Sequence, residues 1–288
     1  MGMEQAVIIV YQIVYTTAFL VLISLGLAVI FGMMRVINLA QGEFMMLGAY
    51  CCNFAVKHGI DLWLSFALSA LAVGLFGIVV ERVLIRFLYG RIVDTLLATW
   101  GLSIFLVGGT TLVMGPTTES IPAPFGTMTF GAYGVPTYSL VLIAFAAGCL
   151  VLTYGLLRYT TAGLIARGTM QNPLMAAAFG VPPETVYMLT FGFGSALTGL
   201  AGAVIAPLSG VAPGMGAYFI AKVFITVIVG GQMALLGTVT ASALFGSISG
   251  VVDYLASSVV GEVCVLLVAI VLLRLLPLGI TGRLRRGV

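Results

Sequence analysis

AVIIVYQIVYTTAFLVLISLGLAVIF, residues 6–31, decides the fold. A membrane-crossing helix needs about 20 apolar residues at roughly 1.5 Å of rise each, and this stretch exceeds that length without one acidic or basic side chain. It is too long for the apolar part of a secretion signal. Met1 to Gln5 before it hold no lysine or arginine, and no convincing small-x-small cleavage site precedes the next helix. It therefore reads as a first membrane span that stays in the mature chain.

The rest of the chain has the same character. Of 288 residues, 61% are hydrophobic and 7% charged, and the mean hydropathy is +1.21. A soluble domain carries about 25% charged residues. Length alone would suggest about two soluble domains, but the even spread of apolar runs predicts one all-α, polytopic transmembrane helical bundle, a single domain over residues 1–288. The formal charge of +3 is scattered between apolar runs, which excludes a nucleic-acid patch. Four cysteines (Cys51, Cys52, Cys149, Cys264) and one histidine, His58, have no metal-ligand spacing, so no metal site is expected. His58 reads as a loop residue closing an apolar run.

Nine segments qualify as spans: residues 7–30, 36–56, 62–85, 92–113, 138–157, 185–206, 217–229, 234–254 and 258–276. The second contains Asn38, Gln41 and Glu43 and reads as broken or re-entrant. The seventh is short, contains Lys222 and reads as a half-helix, so the count is eight or nine. Arg35, then Arg82, Arg86 and Arg91, then Arg158 and Arg167, then Arg283, Arg285 and Arg286 fall in alternate connections. The excess of basic residues on cytoplasmic loops makes those connections cytoplasmic. Nine crossings then give an external N-terminus and a cytoplasmic C-terminus. Residues 114–137, rich in proline and glycine, read as an ordered external loop. Residues 163–178 read as a short cytoplasmic helix that Pro173 kinks or caps, with a turn at 179–181 before the next span.

Polar residues inside apolar runs are the candidates for function. Asn38 and Gln41 lie three apart and are expected to share a helix face. Glu43 follows closely on Arg35, near a cytoplasmic edge. It has two readings, a fold-holding contact or a role in gating and the polar pathway. Thr99 and Ser103 join these three as pathway candidates. Gly192, Ser195, Gly199 and Gly202 let helices pack closely, since apolar contact alone drives no association in lipid; a moving translocation interface is the second reading. There is no GxxxxGK[ST] loop and no Ser/His/Asp or Cys/His arrangement. No catalytic residue is expected, and passage of a solute is the natural task. Any ATP hydrolysis must come from another chain.

Several motifs carry a resemblance. Gly32 to Phe44, GMMRVINLAQGEF, is similar to a G-x-x-x-x-I-N-x-A-x-G-E pattern. Glu81-Arg82 with Arg86, the run Leu97–Leu106, Thr161-x-Gly163-x-x-x-Arg167 leading to Asn172, Ala177 and Gly180, the run Phe191–Gly202, Val229-Gly230-Gly231 with Gly237, and Pro277-x-Gly279-Ile280 follow in order. The chain resembles, from about Ala6 to Gly282, the LivH-like permease subunits of bacterial ABC importers for branched-chain amino acids, a group that also includes urea and short-amide permeases. One departure is Gly231-Gln232-Met233, where the family often has G-x-G-S or G-x-G-N after the glycine pair.

The resemblance implies a subunit of the bacterial inner membrane, paired with a second, different permease, two cytoplasmic ATPases that carry the ATP and Mg, and an extracytoplasmic solute-binding protein. This chain itself would hold no cofactor. Gly163, Arg167, Asn172, Ala177 and Gly180 would form the loop that contacts the ATPase. Branched-chain amino acids are the expected substrates. Urea or a short amide is the alternative, because LLATWGLS at 96–103 and Met170-Gln171-Asn172 look like the urea-type members. An ion-coupled secondary transporter is the remaining reading.

Overall fold

The computed structural model describes residues 3–130, 133–231, 233–276 and 279–282. Its helices are α1 (Met3–Met34), α2 (Gln41–Lys57), α3 (Leu62–Val83), α4 (Ile92–Met114), α5 (Tyr138–Tyr159), α6 (Thr161–Gln171), α7 (Pro173–Ala178), α8 (Pro183–Ser209), α9 (Met215–Gly230), α10 (Ala234–Leu255) and α11 (Ser258–Leu275). Seven, all but α2, α6, α7 and α9, are long and apolar enough to cross a membrane. The all-α bundle is therefore as expected, with α2 and α9 as the two shorter segments. The connection between α4 and α5 is ordered, as its glycine and proline content led one to expect. It holds a hairpin of β1 (Thr127–Phe130) and β2 (Tyr133–Pro136), antiparallel with Thr127 opposite Pro136. The tail basic residues Arg283, Arg285 and Arg286, and Pro277 and Gln232 of the motifs, lie outside the described residues.

Local chemistry sets the helix ends. The Asp61 carboxylate accepts from the Trp63 amide at 3.0 Å and starts α3. The Thr160 hydroxyl accepts from Gly163 at 3.1 Å and starts α6. Asn172 accepts from Met175 at 3.0 Å with Pro173 at the first helical position, so the expected cap at Pro173 divides two helices rather than kinking one. His58 closes α2, exposed, with Nδ1 2.8 Å from the Phe54 carbonyl.

The chain forms two compact units. One comprises Leu25–Ile121 and Val151–Ala221. Within it α8 is the hub, packed on α2 and α3. Phe44 of α2 meets Phe76 of α3 at 5.4 Å and Phe191 of α8 at 6.1 Å, both edge-on, a geometry worth about 0.5–1.5 kcal/mol per pair beyond burial. The other unit comprises Met1–Ser24, Pro122–Leu150 and Lys222–Val288. There α10 lies on the first part of α1, where Gly246 meets Thr17 and Gly250 meets Ile13. Lys222 of α9 pairs with Glu262 of α11 at 2.5 Å. Gly230 and Gly237 touch backbone to backbone, and Gly279 lies on Gly231. Thr281 donates to the Gly230 carbonyl at 2.6 Å and accepts from the Met233 amide at 3.2 Å. Two motifs nearly fifty residues apart thus build one corner, the α9–α10 turn and the turn after α11.

Candidate functional site

Between α1 and α2 the helix stops. Arg35 turns left-handed at φ 52°, and the chain runs without helical hydrogen bonds to Gln41. Backbone groups freed inside a bundle must find partners, and the sequence supplies them. The Asn38 side-chain oxygen accepts from the Ala40 amide at 3.0 Å, and its nitrogen donates to Gln41 Oε1 at 3.3 Å. Thr99 of α4 accepts from the Leu39 amide at 3.1 Å while donating to the Thr95 carbonyl at 2.8 Å. Gln41 Nε2 donates to Thr198 of α8, and Thr198 donates to the Gly194 carbonyl at 2.9 Å. Asn38 and Gln41 do meet, but through a turn rather than on one helix face, because the helix begins only at Gln41.

Glu43 follows in the first turn of α2. It is 3% exposed, Ser103 of α4 hydrogen-bonds its carboxyl group, and Oε2 has no partner among the described residues. Two residues before it, Gln41 meets Thr198 in the middle of α8. The first turn of α9 comes to the same place. Gly42 and Gly216 touch backbone to backbone with no room for a Cβ on either. Two short helices thus start against each other within one unit, next to a buried acidic side chain. All five pathway candidates, Asn38, Gln41, Glu43, Thr99 and Ser103, fall in this one cluster. Thr198 belongs to it and carried no sequence signal, since a helical threonine bonded to the carbonyl four residues back is common.

Gly192, Ser195, Gly199 and Gly202 of α8 face two helices. Gly192 lies against Ile78 and Gly199 against Val73 of α3; Ser195 fills the place where a Cβ on Gly77 would fall. Gly48 of α2 is in backbone contact with Gly199, and Gly202 with the Met45 carbonyl.

The connection from α5 to α8 is a helix pair followed by a left-handed turn. Gly163 packs on the carbonyls of Leu156 and Leu157. Arg167 Nε donates to the Gly163 carbonyl at 3.3 Å. Ala177 accepts from the Gly180 amide at 2.9 Å, and Gly180 has φ 84°. Leu174 and Phe179 expose 83% and 81% of their surface, and Leu164 64%, an apolar face uncovered in this chain alone.

The sequence model of the family described as "Branched-chain amino acid transport system / permease component" matches residues 9–276. The chain belongs to this family. It is similar to the high-affinity branched-chain amino acid transport system permease protein BraD of Pseudomonas aeruginosa, 29% identical over 285 residues covering 91% of each chain. It is 29% identical to the probable branched-chain amino acid transport permease protein LivH of Methanocaldococcus jannaschii, covering 91% of this chain and 88% of that one. LivH of Escherichia coli K12, a high-affinity branched-chain amino acid transport system permease protein, is 27% identical over 91% of each chain. No solved structure matches the chain. The protein is a multi-pass membrane transport component, and the resemblance read from its motifs holds across nearly the whole chain.

In this permease component the segment before the hairpin is tied down. Glu119 and Val211 exchange both backbone hydrogen bonds, at 2.9 and 2.7 Å. Lys57 pairs with the Glu119 carboxylate at 2.7 Å, and the buried Asn53 donates to it. The Lys57 hydrogen bond, helped by Asn53, holds the Glu119 carboxyl below the ordinary range. Its tether is therefore intact above the unfolded pKa and released only as pH falls through the lowered one. Sequence reasoning passed over Glu119, one acid in a loop of glycine and proline.

Proposed function

We propose that this chain, acting as one permease domain over residues 1–288, is a subunit of an ATP-driven importer that moves branched-chain amino acids across the bacterial inner membrane. The observation that carries the reading is the pair of short helices that begin against each other at Gly42 and Gly216 beside the orphaned Glu43 oxygen. Broken helices with their ends at a polar cluster inside a bundle are how transporters hold a hydrophilic solute away from lipid. In alternating access, this junction opens to each side in turn, and Asn38, Gln41, Glu43, Thr99 and Ser103 line the path. Gly192, Ser195, Gly199 and Gly202 keep α8 close enough to α2 and α3 for the three to move together.

The partners follow from the same reading. A second, different permease covers exposed span faces. Two cytoplasmic ATPases, which hold the ATP and Mg, receive the apolar face of α6 and α7 through the segment of Gly163, Arg167, Asn172, Ala177 and Gly180. A binding protein delivers the solute from outside. This chain carries out no chemistry and holds no cofactor. The test is copurification: the tagged chain should bring down both ATPases, and the loaded binding protein should stimulate their hydrolysis. A chain that purifies alone and leaves hydrolysis unstimulated contradicts the proposal.

An amino acid carries a charge of each sign. Helix N-termini hold partial positive charge and suit its carboxylate, while the Glu43 carboxyl group suits its ammonium. Urea needs neither, and the amides and hydroxyls of Asn38, Gln41, Thr99, Ser103 and Thr198 would suffice for it. Glu43→Gln separates the two. It keeps the shape and removes the charge, so leucine uptake should fall roughly tenfold, the size of one charge-assisted contact, at unchanged protein abundance. Unimpaired leucine uptake by E43Q refutes a charge-dependent role.

Orientation follows from the arginines. A tag placed before Ala6 should be accessible from outside intact cells and a tag after Val288 only from the cytoplasm. Labelling of both from one side rules out nine crossings.

A further inference from the structure

The Glu81-Arg82 motif and Arg86 are left unused by the pathway and by the α6–α7 face. They lie at the α3–α4 connection, where a 3-10 turn (Ile85–Leu88) follows α3. Three contacts tie this connection to its surroundings. Arg86 pairs with Glu184 in the first turn of α8. The ring of Tyr89 lies 5.0 Å from that of Tyr187, one turn further along α8. The Tyr89 hydroxyl donates to Glu81, which is 1% exposed in the last turn of α3. Tyr89 thus touches α3 through its hydroxyl and α8 through its ring.

We infer that Glu81, Arg86, Tyr89, Glu184 and Tyr187 form a clasp that makes the α3–α4 connection and the start of α8 one mechanical element, so that a displacement of α6–α7 reaches α3 and α8 together. The inference rests on the proposed ATP-driven reading. The physical argument concerns lever arms. α7 leads through the Gly180 turn directly into α8, and Glu184 and Tyr187 are the first side chains past that turn able to pass a force sideways. Without the clasp, a push on α8 reaches α3 through packing further along the helix, beginning at Gly192 on Ile78 and Ser195 on Gly77. With it, the ends of α3 and α8 move as a pair. Phe87, 72% exposed, stands on the joined α3–α4 connection, and Phe179, 81% exposed, stands at the end of α7 just before the turn into α8, so an ATPase that grips either place moves both helices. The five are positioning residues and touch no substrate.

The test uses the assembled transporter with its ATPases and binding protein, and reads solute taken up per ATP hydrolysed. Arg86→Glu and Glu184→Arg singly should each lower that ratio about threefold, as loss of an exposed pair allows, and the double exchange should restore it. The variant carrying Arg86→Cys and Glu184→Cys, with the four native cysteines replaced by alanine, should show the same loss when reduced and recover when the two introduced thiols are joined by a short crosslinker. A joined pair that transports normally means the segments travel together. Failure to crosslink in membranes, a crosslink that blocks uptake, or single reversals that leave the ratio unchanged each overturn the clasp. Crosslinking reports on the clasp even if the wild-type chain takes up nothing with those partners, a result that would count against the importer reading instead.

Discussion

Gly202→Leu is expected to abolish the folded bundle. The Gly202 Cα lies against the Met45 carbonyl, so even a Cβ collides with main chain and not with a side chain that could swing away. Overpacking a tight core costs about 1–3 kcal/mol. Here the obstructing atoms belong to the backbone of α2, whose neighbouring turns are held by the Gly48–Gly199 and Gly42–Gly216 contacts, so the cost should lie at or above the upper figure. Little monodisperse protein should survive extraction and size-exclusion chromatography. Gly108→Ala is the contrast. Nothing lies within 4 Å of a Cβ there, and the isolated chain should keep its melting temperature within the effect of about 0.5 kcal/mol typical of surface changes. A G202L protein as abundant and as heat-resistant as wild type would show that α2 and α8 are not in close contact.

The second large effect is on coupling. Gly180 has φ 84° with open space around it. A side chain there meets no neighbour, and its cost is entirely conformational. Valine is the worst choice, since a branched Cβ rarely tolerates positive φ, and the strain is about 1–3 kcal/mol. Gly180→Val should therefore displace α6–α7 relative to the start of α8 without touching the Asn38–Glu43 cluster. Binding-protein docking should persist, while uptake per ATP hydrolysed falls or ATPase assembly weakens. Gly180→Asn should retain most coupling, because asparagine enters the left-handed region at small cost. Normal stimulated hydrolysis and normal uptake by G180V would remove this connection from the coupling path and leave the α3–α4 connection to carry it.

What the sequence made legible follows from how unusual each residue is for its surroundings. Glu43, Asn38 and Gln41 stand out because polar groups in an apolar run need a reason. Pro173 and Gly180 stand out because their backbones allow little else. Thr198 did not, since a threonine in a membrane helix has a local acceptor and announces no distant partner. Its role depends on Gln41, over a hundred residues away, which no periodicity links to it. The same holds for Glu119 with Lys57 and Asn53, and for the corner where Gly237 and Gly279 meet the Gly230-Gly231 pair. The hairpin at 127–136 was hidden because glycine and proline mark turns without saying that the residues between them pair. Fold class was therefore readable from composition and span length. Five members of the site were readable, Thr99 and Ser103 of α4 among them, while Thr198 and the contacts across helices required coordinates.

The most direct test is leucine uptake by vesicles holding this chain with its partner permease and ATPases, the binding protein supplied on the outer face. The account predicts accumulation that requires both ATP at the ATPases and the binding protein. Accumulation by this chain alone, driven by an ion gradient and indifferent to ATP, would contradict it.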